Sequence, residues 1–325
     1  NNGLITLLTV SLRTLKLKLG LPKRYSMPNL FVYDTSRPKT TRFTIAFARG
    51  IIRQGNLAPN RAWEVKHAPI QHYLDQGIPK HADAVATLGI LRGTGLLLKE
   101  AKQKGIDYYY MDHAYFNPGY SGKGWMRITK NGHACTTLKP CDATAYNAFA
   151  ASQDKNKMYS WTGPRGDKII ICPPTHAVQW FLNAHEWEQK TIERIKNILP
   201  ANQHDRIVVR HKPKEPIVDE RGNLMELRRN PQQGSLAQDL EQAYCVIAYN
   251  SMVALEATLK GIPVITSEHS CCKHVSFQLE DLATPEVFDE PANRQTLLNW
   301  LACNQWKMSH LEDGTAWARL QENYN

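Results

Sequence analysis

The stretch Tyr249–Thr266, YNSMVALEATLKGIPVIT, has the pattern of a strand that gives way to a helix and then to a second strand. Asn250 and Ser251 stand where the helix begins, and Gly261 stands where it ends. Free backbone N–H groups and the helix dipole make such a start favourable for an anion, and the Ser251 hydroxyl adds a donor. Glu256 follows about one and a half turns along. The same residues would equally serve as ordinary caps in an α/β unit that binds nothing.

The rest of the second half continues the alternation of strand and helix. Lys168–Cys172 (KIIIC) is a continuous apolar run, typical of a buried strand in a parallel sheet. His176–Leu199 has helical character and stops at Pro200. The further predicted elements are a strand over Arg206–His211, a helix over Ser235–Ala243, a strand over Cys245–Tyr249, a helix over Ser251–Lys260 and a strand over Ile262–Thr266.

The first half shows the same rhythm less regularly. Thr41–Ala48 (TRFTIAFA) is rich in β-branched and aromatic residues and predicts a strand. Ala84–Ile90 and Asp107–Phe116 predict two more strands, with a helix over Gly93–Lys104 between them. Segment 117–168 is rich in glycine and lysine, lacks periodicity and predicts long loops. Alternating strands and helices in both halves predict an α/β protein with parallel sheets.

Basic residues stand at the end of one predicted strand of the second half. Arg210, His211 and Lys212 occupy this position. Ligands of open α/β sheets bind at the carboxyl ends of the strands, and cations there would neutralise a diphosphate. Thr175 and His176, at the first strand-to-helix turn of this half, would line the same cleft. A solvated basic loop is the alternative interpretation of the three cations.

Several residues of the second half together resemble the donor-site signature of GT-B glycosyltransferases, which consist of two Rossmann-like domains: Ser251, Glu256-Ala257, Gly261 and Pro263-Val264. The resemblance implies that Ser251 contacts the donor phosphate and that Glu256 contacts the nucleotide ribose. The usual second acidic residue upstream is not evident in this sequence. A run similar to Arg210–Lys212 followed by proline occurs in capsule-type members. The resemblance also implies a nucleotide-sugar co-substrate, most often a UDP-sugar, with no tightly bound cofactor and no essential metal.

By the same resemblance, the first half would hold the acceptor. Asp112 and His113 stand near the end of the strand predicted over 107–116 and would face the cleft. Sugar transfer with inversion needs a base that takes the acceptor proton, for which Asp112 is the first choice and His113 the second. Asp112 would equally suit a turn, where aspartate is common. Arg49, after the first predicted strand, is a weaker candidate for an acceptor contact.

The net charge of +10 is unevenly distributed. Residues 1–166 hold 24 lysines and arginines against 9 acidic residues, whereas residues 167–325 hold 16 against 21. Tyr115–Lys139 mixes aromatic and basic side chains, as a nucleic-acid surface requires. Its candidate DNA contacts are Lys123, Trp125, Arg127 and Lys130. A flexible basic loop would have the same composition, because no defined recognition motif is present.

The C-terminal stretch suggests a particular acceptor. Thr296–Leu320 resembles the ends of phage-encoded GT-B-like proteins in Gln305-Trp306 and Gly314–Trp317. With the basic first half, this resemblance implies double-stranded DNA that carries hydroxymethyl-pyrimidines, flipped out of the duplex to reach a deep site. The alternatives are a capsule-type polysaccharide transferase, a non-catalytic DNA-binding protein of the same fold and a sugar-nucleotide epimerase.

Composition and cysteines indicate the compartment. No apolar run reaches the ~18 residues that a membrane span needs, although segment 3–21 comes closest. The seven cysteines are odd in number and scattered, which favours a reducing compartment such as the cytoplasm, or the host cytoplasm if a phage encodes the protein. His133, Cys135 and Cys141 fit no standard zinc spacing, so no metal site is predicted.

These observations predict two Rossmann-like domains of the GT-B type that face each other across a cleft, with a C-terminal helix that crosses back. The expected parts are an N-terminal extension over 1–26, an acceptor domain over 27–160, a nucleotide-sugar domain over 161–295 and a helical tail over 296–325. The predicted activity is transfer of a sugar from a nucleotide sugar to a hydroxyl. Inversion is expected because no nucleophile for a covalent double displacement stands out. The sugar and the oligomeric state are left open.

Overall fold

The computed structural model describes residues 27–58, 62–119, 124–231 and 234–324, so the expected extension over 1–26 lies outside the described residues. The first half forms a sheet from five of its own strands: β1 (Asn29–Asp34), β2 (Glu64–Pro69), β3 (Ala84–Leu88), β4 (Asp107–His113) and β5 (Trp125–Lys130). The first four pair in parallel in the order β2-β1-β3-β4, and β5 pairs antiparallel with β4. The loops predicted over 117–168 therefore contain a strand.

The helices of the first half are α1 (Pro38–Leu57), α2 (Ile70–Gln76), α3 (Thr94–Gln103) and α4 (Asn147–Ser152). The strand predicted over Thr41–Ala48 is wrong, because these residues lie inside α1. Phe43, Phe47 and Ile51 follow each other at four-residue intervals and are all buried. Such spacing places them on one face of a helix, and their packing against the sheet overrides the strand propensity of the segment.

The second half forms its own sheet from β6 (Lys168–Cys172), β7 (Ile207–Val209), β10 (Ala243–Ala248) and β11 (Val264–Thr266), while β8 (Lys214–Val218) and β9 (Leu224–Arg229) form a separate hairpin. The sheet order is β11-β10-β6-β7, and all pairs are parallel. The helices are α5 (His176–Leu182), α6 (Trp187–Ile198), α7 (Leu236–Glu241) and α8 (Val253–Lys260). The single helix expected over His176–Leu199 is broken at Asn183, which has a left-handed backbone with φ of 55°.

The tail returns to the first sheet. Its elements are α9 (Arg294–Cys303), β12 (Gln305–Lys307), α10 (Met308–Glu312) and α11 (Thr315–Tyr324). β12 pairs antiparallel with β5, and Trp317 of α11 packs between Phe47 and Tyr109 at ring-centroid distances of 5.8 and 5.0 Å. The predicted fold class is confirmed: two Rossmann-like α/β units with a C-terminal helix that crosses back. The domain division between 160 and 161 stays a prediction.

The two units contact each other along α3 and α5. Trp180 and Phe181 of α5 join one apolar cluster with Leu97 and Leu98 of α3. Lys99 donates a hydrogen bond from Nζ to the Trp180 carbonyl at 2.9 Å, and its amine lies 4.7 Å from the centre of the Trp180 ring. A cavity of about 360 Å³ lies between the ends of α3 and α5, the start of β4 and the loop at His269.

Candidate functional site

The turn between β10 and α8 has the predicted form. Ser251 Oγ accepts a hydrogen bond from the backbone N–H of Val253 at 3.3 Å, and the Ser251 carbonyl accepts one from Ala254 at 3.1 Å. α8 ends at Gly261, whose left-handed φ of 77° is easy for glycine and strained for other residues. The turn therefore presents a half-buried serine hydroxyl at the positive end of a helix dipole.

Two other residues of this segment, Asn250 and Glu256, are predicted to contact the donor. Asn250 precedes the helix and is half-buried, and Glu256 lies on the exposed side of α8. Five residues separate Ser251 from Glu256, so the two side chains are about 140° apart around the helix axis.

The three cations after β7 have different environments. Arg210 forms a salt bridge with Asp239 of α7 and donates to the Gly234 carbonyl at 3.2 Å. His211 Nε2 lies 3.6 Å from a carboxylate oxygen of Glu188. Lys212 is exposed, and its amine makes no ion pair within the part of the chain that the structure describes. The charge of Arg210 is thus already balanced, whereas that of Lys212 is available to an incoming anion.

Thr175 and His176 start α5, as predicted. Thr175 occupies the N-cap position, and His176 Nδ1 accepts a hydrogen bond from the backbone N–H of Val218 at 3.2 Å. His176 therefore fixes the β8–β9 hairpin to the start of α5. In this arrangement the ring orders the second unit, and Thr175 is the group of the two that remains for a ligand.

Asp112, at the end of β4, is held by several donors. Its Oδ2 lies 3.0 Å from an Arg127 nitrogen and 2.7 Å from the Tyr110 hydroxyl, and its Oδ1 accepts the backbone N–H of His113 at 2.7 Å. Burial alone would raise the pKa of Asp112, but the positive charge of Arg127 and the hydrogen bonds from Tyr110 and the His113 N–H outweigh it and lower the pKa. The carboxylate stays ionised and accepts a proton poorly.

His113 is the more exposed member of the predicted acid–base pair. Partial desolvation lowers its pKa, the carboxylate of Asp112 raises it, and the charges of Arg127 and Lys212 lower it further. The net direction is downward, so the ring is neutral near pH 7 and has a nitrogen able to accept a proton.

His133 connects the two sheet edges. Its ring stacks on Tyr110 with a centroid distance of 4.9 Å, and its Nε2 lies 3.3 Å from the Tyr110 hydroxyl. On the other side its Nδ1 lies 3.3 Å from the side-chain nitrogen of Asn250. Burial and the charge of Arg127 lower the pKa of His133 to about 3, so the ring is neutral. A neutral ring that accepts from Asn250 at Nδ1 donates from Nε2 to Tyr110, whose hydroxyl then donates to Asp112.

Sequence reasoning missed His133 as a site residue and considered it only beside Cys135 and Cys141 as a metal ligand. The local sequence around His133 carries no motif. Its position depends on the antiparallel return of β5, which places the following turn against β4. Recognition of β5 as a strand was the only available signal.

The residues expected to contact DNA do not form one surface. Arg127 is buried in its pair with Asp112, and Lys130 lies 2.8 Å from Asp107. Trp125 is half-buried at the start of β5, and Lys123 lies outside the described residues. Arg49 lies in the middle of α1 and is exposed there, so its expected place at a strand end is wrong. The actual first strand, β1, ends at Asp34.

Neither a cluster of metal ligands nor a membrane-spanning helix is found among the described residues. Within residues 27–58, 62–119, 124–231 and 234–324, no three His, Cys, Asp or Glu side chains are grouped as metal ligands. The same ranges contain no helix with the length and apolar character of a membrane span. The seven cysteines are free thiols, five of them buried.

No family model and no curated protein matches the sequence. Among solved structures, the chain is similar to a KpsC β-Kdo 2,7-transferase of Thermosulfurimonas dismutans, with 12% identity over 90% of this chain and 99% of that chain and a TM-score of 0.42. A KpsC β-Kdo 2,4-transferase of the same organism gives 11% identity, 89% and 99% coverage and a TM-score of 0.43. The glycosyltransferase SnogD of Streptomyces nogalater is 11% identical over 92% of this chain and 100% of that chain, with a TM-score of 0.24. At such identities and TM-scores, function has to be judged from the geometry of the site.

Proposed function

We propose that the protein transfers a sugar from a nucleotide sugar, with UDP as the expected nucleotide, to a hydroxyl group of an acceptor. The observation that carries the proposal is the contact between Asn250 and His133, which sets the α8 start of one unit against the end of β4 in the other. A donor held at Ser251 would then lie near His113 and Asp112. Two sheet edges that face each other suit a reaction between two bound substrates.

The donor half of this proposal rests on electrostatics. Backbone N–H groups at the start of α8 and the Ser251 hydroxyl would bind the diphosphate, and Lys212 would add positive charge as the leaving group develops. Arg210 would act differently from the prediction, since its salt bridge with Asp239 orders the loop that carries Lys212. Glu256 would contact the ribose, as the GT-B resemblance implies.

We assign the base to His113 and a positioning role to Asp112. The neutral imidazole of His113 would accept the proton of the acceptor hydroxyl, and Asp112 would hold the backbone of His113 in place through its 2.7 Å hydrogen bond. The ionised Asp112 would also favour the imidazolium that forms. Direct attack by the acceptor, with inversion, fits the presence of one base beside the donor.

We infer that the acceptor is a glycan hydroxyl, as in the capsule-type alternative. The salt bridges of the basic residues in the first half favour a glycan acceptor over DNA. Arg127 and Lys130 are paired with Asp112 and Asp107, so their charges are not available to several phosphates in a row. We place the reaction in a reducing compartment such as the cytoplasm, in line with the seven cysteines.

A two-stage experiment tests the proposal. Thermal shift with a panel of nucleoside diphosphates should show stabilisation by one of them, with UDP first, and Ser251→Asp should abolish the shift. Mass spectrometry should then detect sugar transfer from the matching nucleotide sugar to glycan acceptors. Transfer to hydroxymethylated DNA would restore the DNA acceptor, and isomerisation of the nucleotide sugar without an acceptor would indicate an epimerase. Absence of any nucleotide binding would refute the transferase proposal.

A further inference from the structure

A second cavity of about 510 Å³ lies where the tail returns to the first sheet. Its walls come from the start of β5, the segment 142–152 and the run from the end of α9 to α11. This volume falls within the range of small-molecule sites. None of the residues assigned above to the donor lines it.

The floor of the cavity is apolar and aromatic. Trp125 is half-buried, and its ring lies 4.8 Å from that of Phe149 in an edge-to-face arrangement. Ala145, Ala148 and Ala302 complete this floor with methyl groups. Such a surface suits the apolar face of a sugar ring, which aromatic rings with a flat, rigid shape can cover.

The rim of the cavity is cationic. Lys307, His310 and Arg319 line it. Burial lowers the pKa of His310, the charge of Asp313 raises it, and the charges of Lys307 and Arg319 lower it further. Across the part of the chain that the structure describes, neither Lys307 nor Arg319 forms a salt bridge, and the Lys307 amine lies 5.0 Å from the centre of the Trp125 ring. Asp142 is the acidic group on the rim, and its carboxylate accepts hydrogen bonds from the N–H and hydroxyl of Thr144. The rim therefore favours a compact anion.

The cavity lies at the same edge of the first sheet as His113. β5 runs antiparallel to β4, and His113 pairs with Met126, which adjoins Trp125. Lys307 ends β12 directly opposite Trp125. Neighbouring strands are about 4.8 Å apart, so the backbones of Trp125 and His113 lie within one or two strand spacings, with their side chains on opposite faces of the sheet. A chain molecule that presents a hydroxyl at His113 would pass around the end of β5 to reach the cavity with its next residues.

We propose that this cavity binds a carboxylated sugar residue of the acceptor glycan, with the ring on Trp125 and the carboxylate between Lys307 and Arg319. The inference rests on the proposed glycosyl transfer and names the class of its acceptor as an acidic glycan. A nucleic acid fits less well, because single strands bind along extended cationic grooves with several successive phosphates. Here the cations lie around a single half-open space instead of along a groove.

Calorimetric titration without any donor tests this inference separately from catalysis. The probes are a hyaluronan tetrasaccharide, its carboxyl-reduced neutral counterpart and a thymidine oligonucleotide. We expect the acidic tetrasaccharide to bind at least about tenfold more tightly than the neutral one. Lys307→Gln combined with Arg319→Gln should remove this preference, whereas the matched pair Arg53→Gln and Lys196→Gln, which removes two exposed charges elsewhere, should retain it.

The outcomes separate the two levels of the proposal. Equal binding of the acidic and neutral sugars, no binding of either, unchanged selectivity in the Lys307→Gln and Arg319→Gln variant, or preferred binding of the oligonucleotide would each overturn the cavity assignment. The thermal shift caused by UDP should be the same in all these variants, because the cavity lies outside the donor site. If UDP causes no thermal shift in the wild-type protein, the transferase proposal is refuted and the cavity assignment is not.

Discussion

The carboxyl edges of the two sheets differ in whether any positive charge is left unpaired. At the edge of the first sheet, Asp112 and Arg127 neutralise each other and are joined by Tyr110 and His133 into one hydrogen-bonded network. At the edge of the second sheet, the α8 start and the exposed Lys212 keep their positive potential. A paired network resists movement and offers little to a ligand, whereas an open helix start attracts anions.

This difference separates positioning from binding. The network of the first edge holds the end of β4, and therefore His113, at a fixed place, which is what a proton acceptor requires. The second edge holds no comparable paired network around Ser251 within the described residues, which is what a substrate that enters and leaves requires. We therefore expect mutations at the first edge to change stability and those at the second edge to change affinity.

The largest effect is expected for Arg127→Leu. Removing the guanidinium leaves the carboxylate of Asp112 partly buried without its partner, and such changes cost about 3–5 kcal/mol of unfolding free energy. Urea denaturation measures the loss. Lys130→Gln is the matched control, because its pair with Asp107 is more exposed and should contribute at most about 1 kcal/mol. Equal effects of the two substitutions would contradict the view of the first edge as a rigid network.

A smaller effect, on affinity alone, is expected for Ser251→Asp. An aspartate carboxylate can accept the Val253 N–H as the Ser251 hydroxyl does, so the fold should keep its stability. Its carboxylate would stand where the diphosphate is proposed to bind, and UDP binding should weaken about tenfold to a hundredfold by calorimetry. Ser251→Asn, whose side chain can accept the same hydrogen bond without a charge, should weaken UDP binding much less. If Ser251→Asp binds UDP as tightly as the wild type, the donor does not bind at the start of α8.

The sequence predicted the second edge better than the first for a physical reason. Tyr249–Thr266 forms a strand, a turn and a helix from consecutive residues, so its geometry depends on local rules. The pair of Asp112 and Arg127 instead depends on the antiparallel register of β5, a long-range feature hidden in an irregular, lysine-rich segment. For the same reason His133 was not recognised as a site residue.

Errors in the fold have the same origin. Buried runs such as Lys168–Cys172 were predicted correctly because apolar residues alone identify a central strand. Thr41–Ala48 was read as a strand from its residue types, although the spacing of its buried side chains is helical. β1 and β2 were not recognised, and the register that brings the tail strand β12 against β5 has no local signature.

The pH dependence of stability tests the environment of His133. Its pKa is about 3 in the folded protein and about 6.5 in an unfolded chain. Below pH 6.5 the unfolded state therefore binds the additional proton, and stability falls as the pH decreases toward 3. The His133 contribution should be about 1 kcal/mol between pH 6 and pH 5.

Urea denaturation at both pH values should show a correspondingly smaller loss of unfolding free energy in His133→Gln. The exposed His72→Gln should behave as the wild type, and an identical pH dependence in all three proteins would place His133 in contact with water.

The smallest effect is expected for Lys212→Gln. Lys212 is an exposed amine on a loop, so its attraction to a diphosphate is screened by water and salt. We expect about threefold weaker UDP binding at low ionic strength, a difference that disappears in high salt, and no change in unfolding free energy. Lys214→Gln, two residues further and also exposed, should leave affinity unchanged. If both substitutions weaken UDP binding equally, the effect belongs to the general positive potential of this edge, and the donor does not contact Lys212. If Lys212→Gln instead lowers stability, Lys212 is paired in the fold as Arg210 is with Asp239, and its charge is not available to the donor.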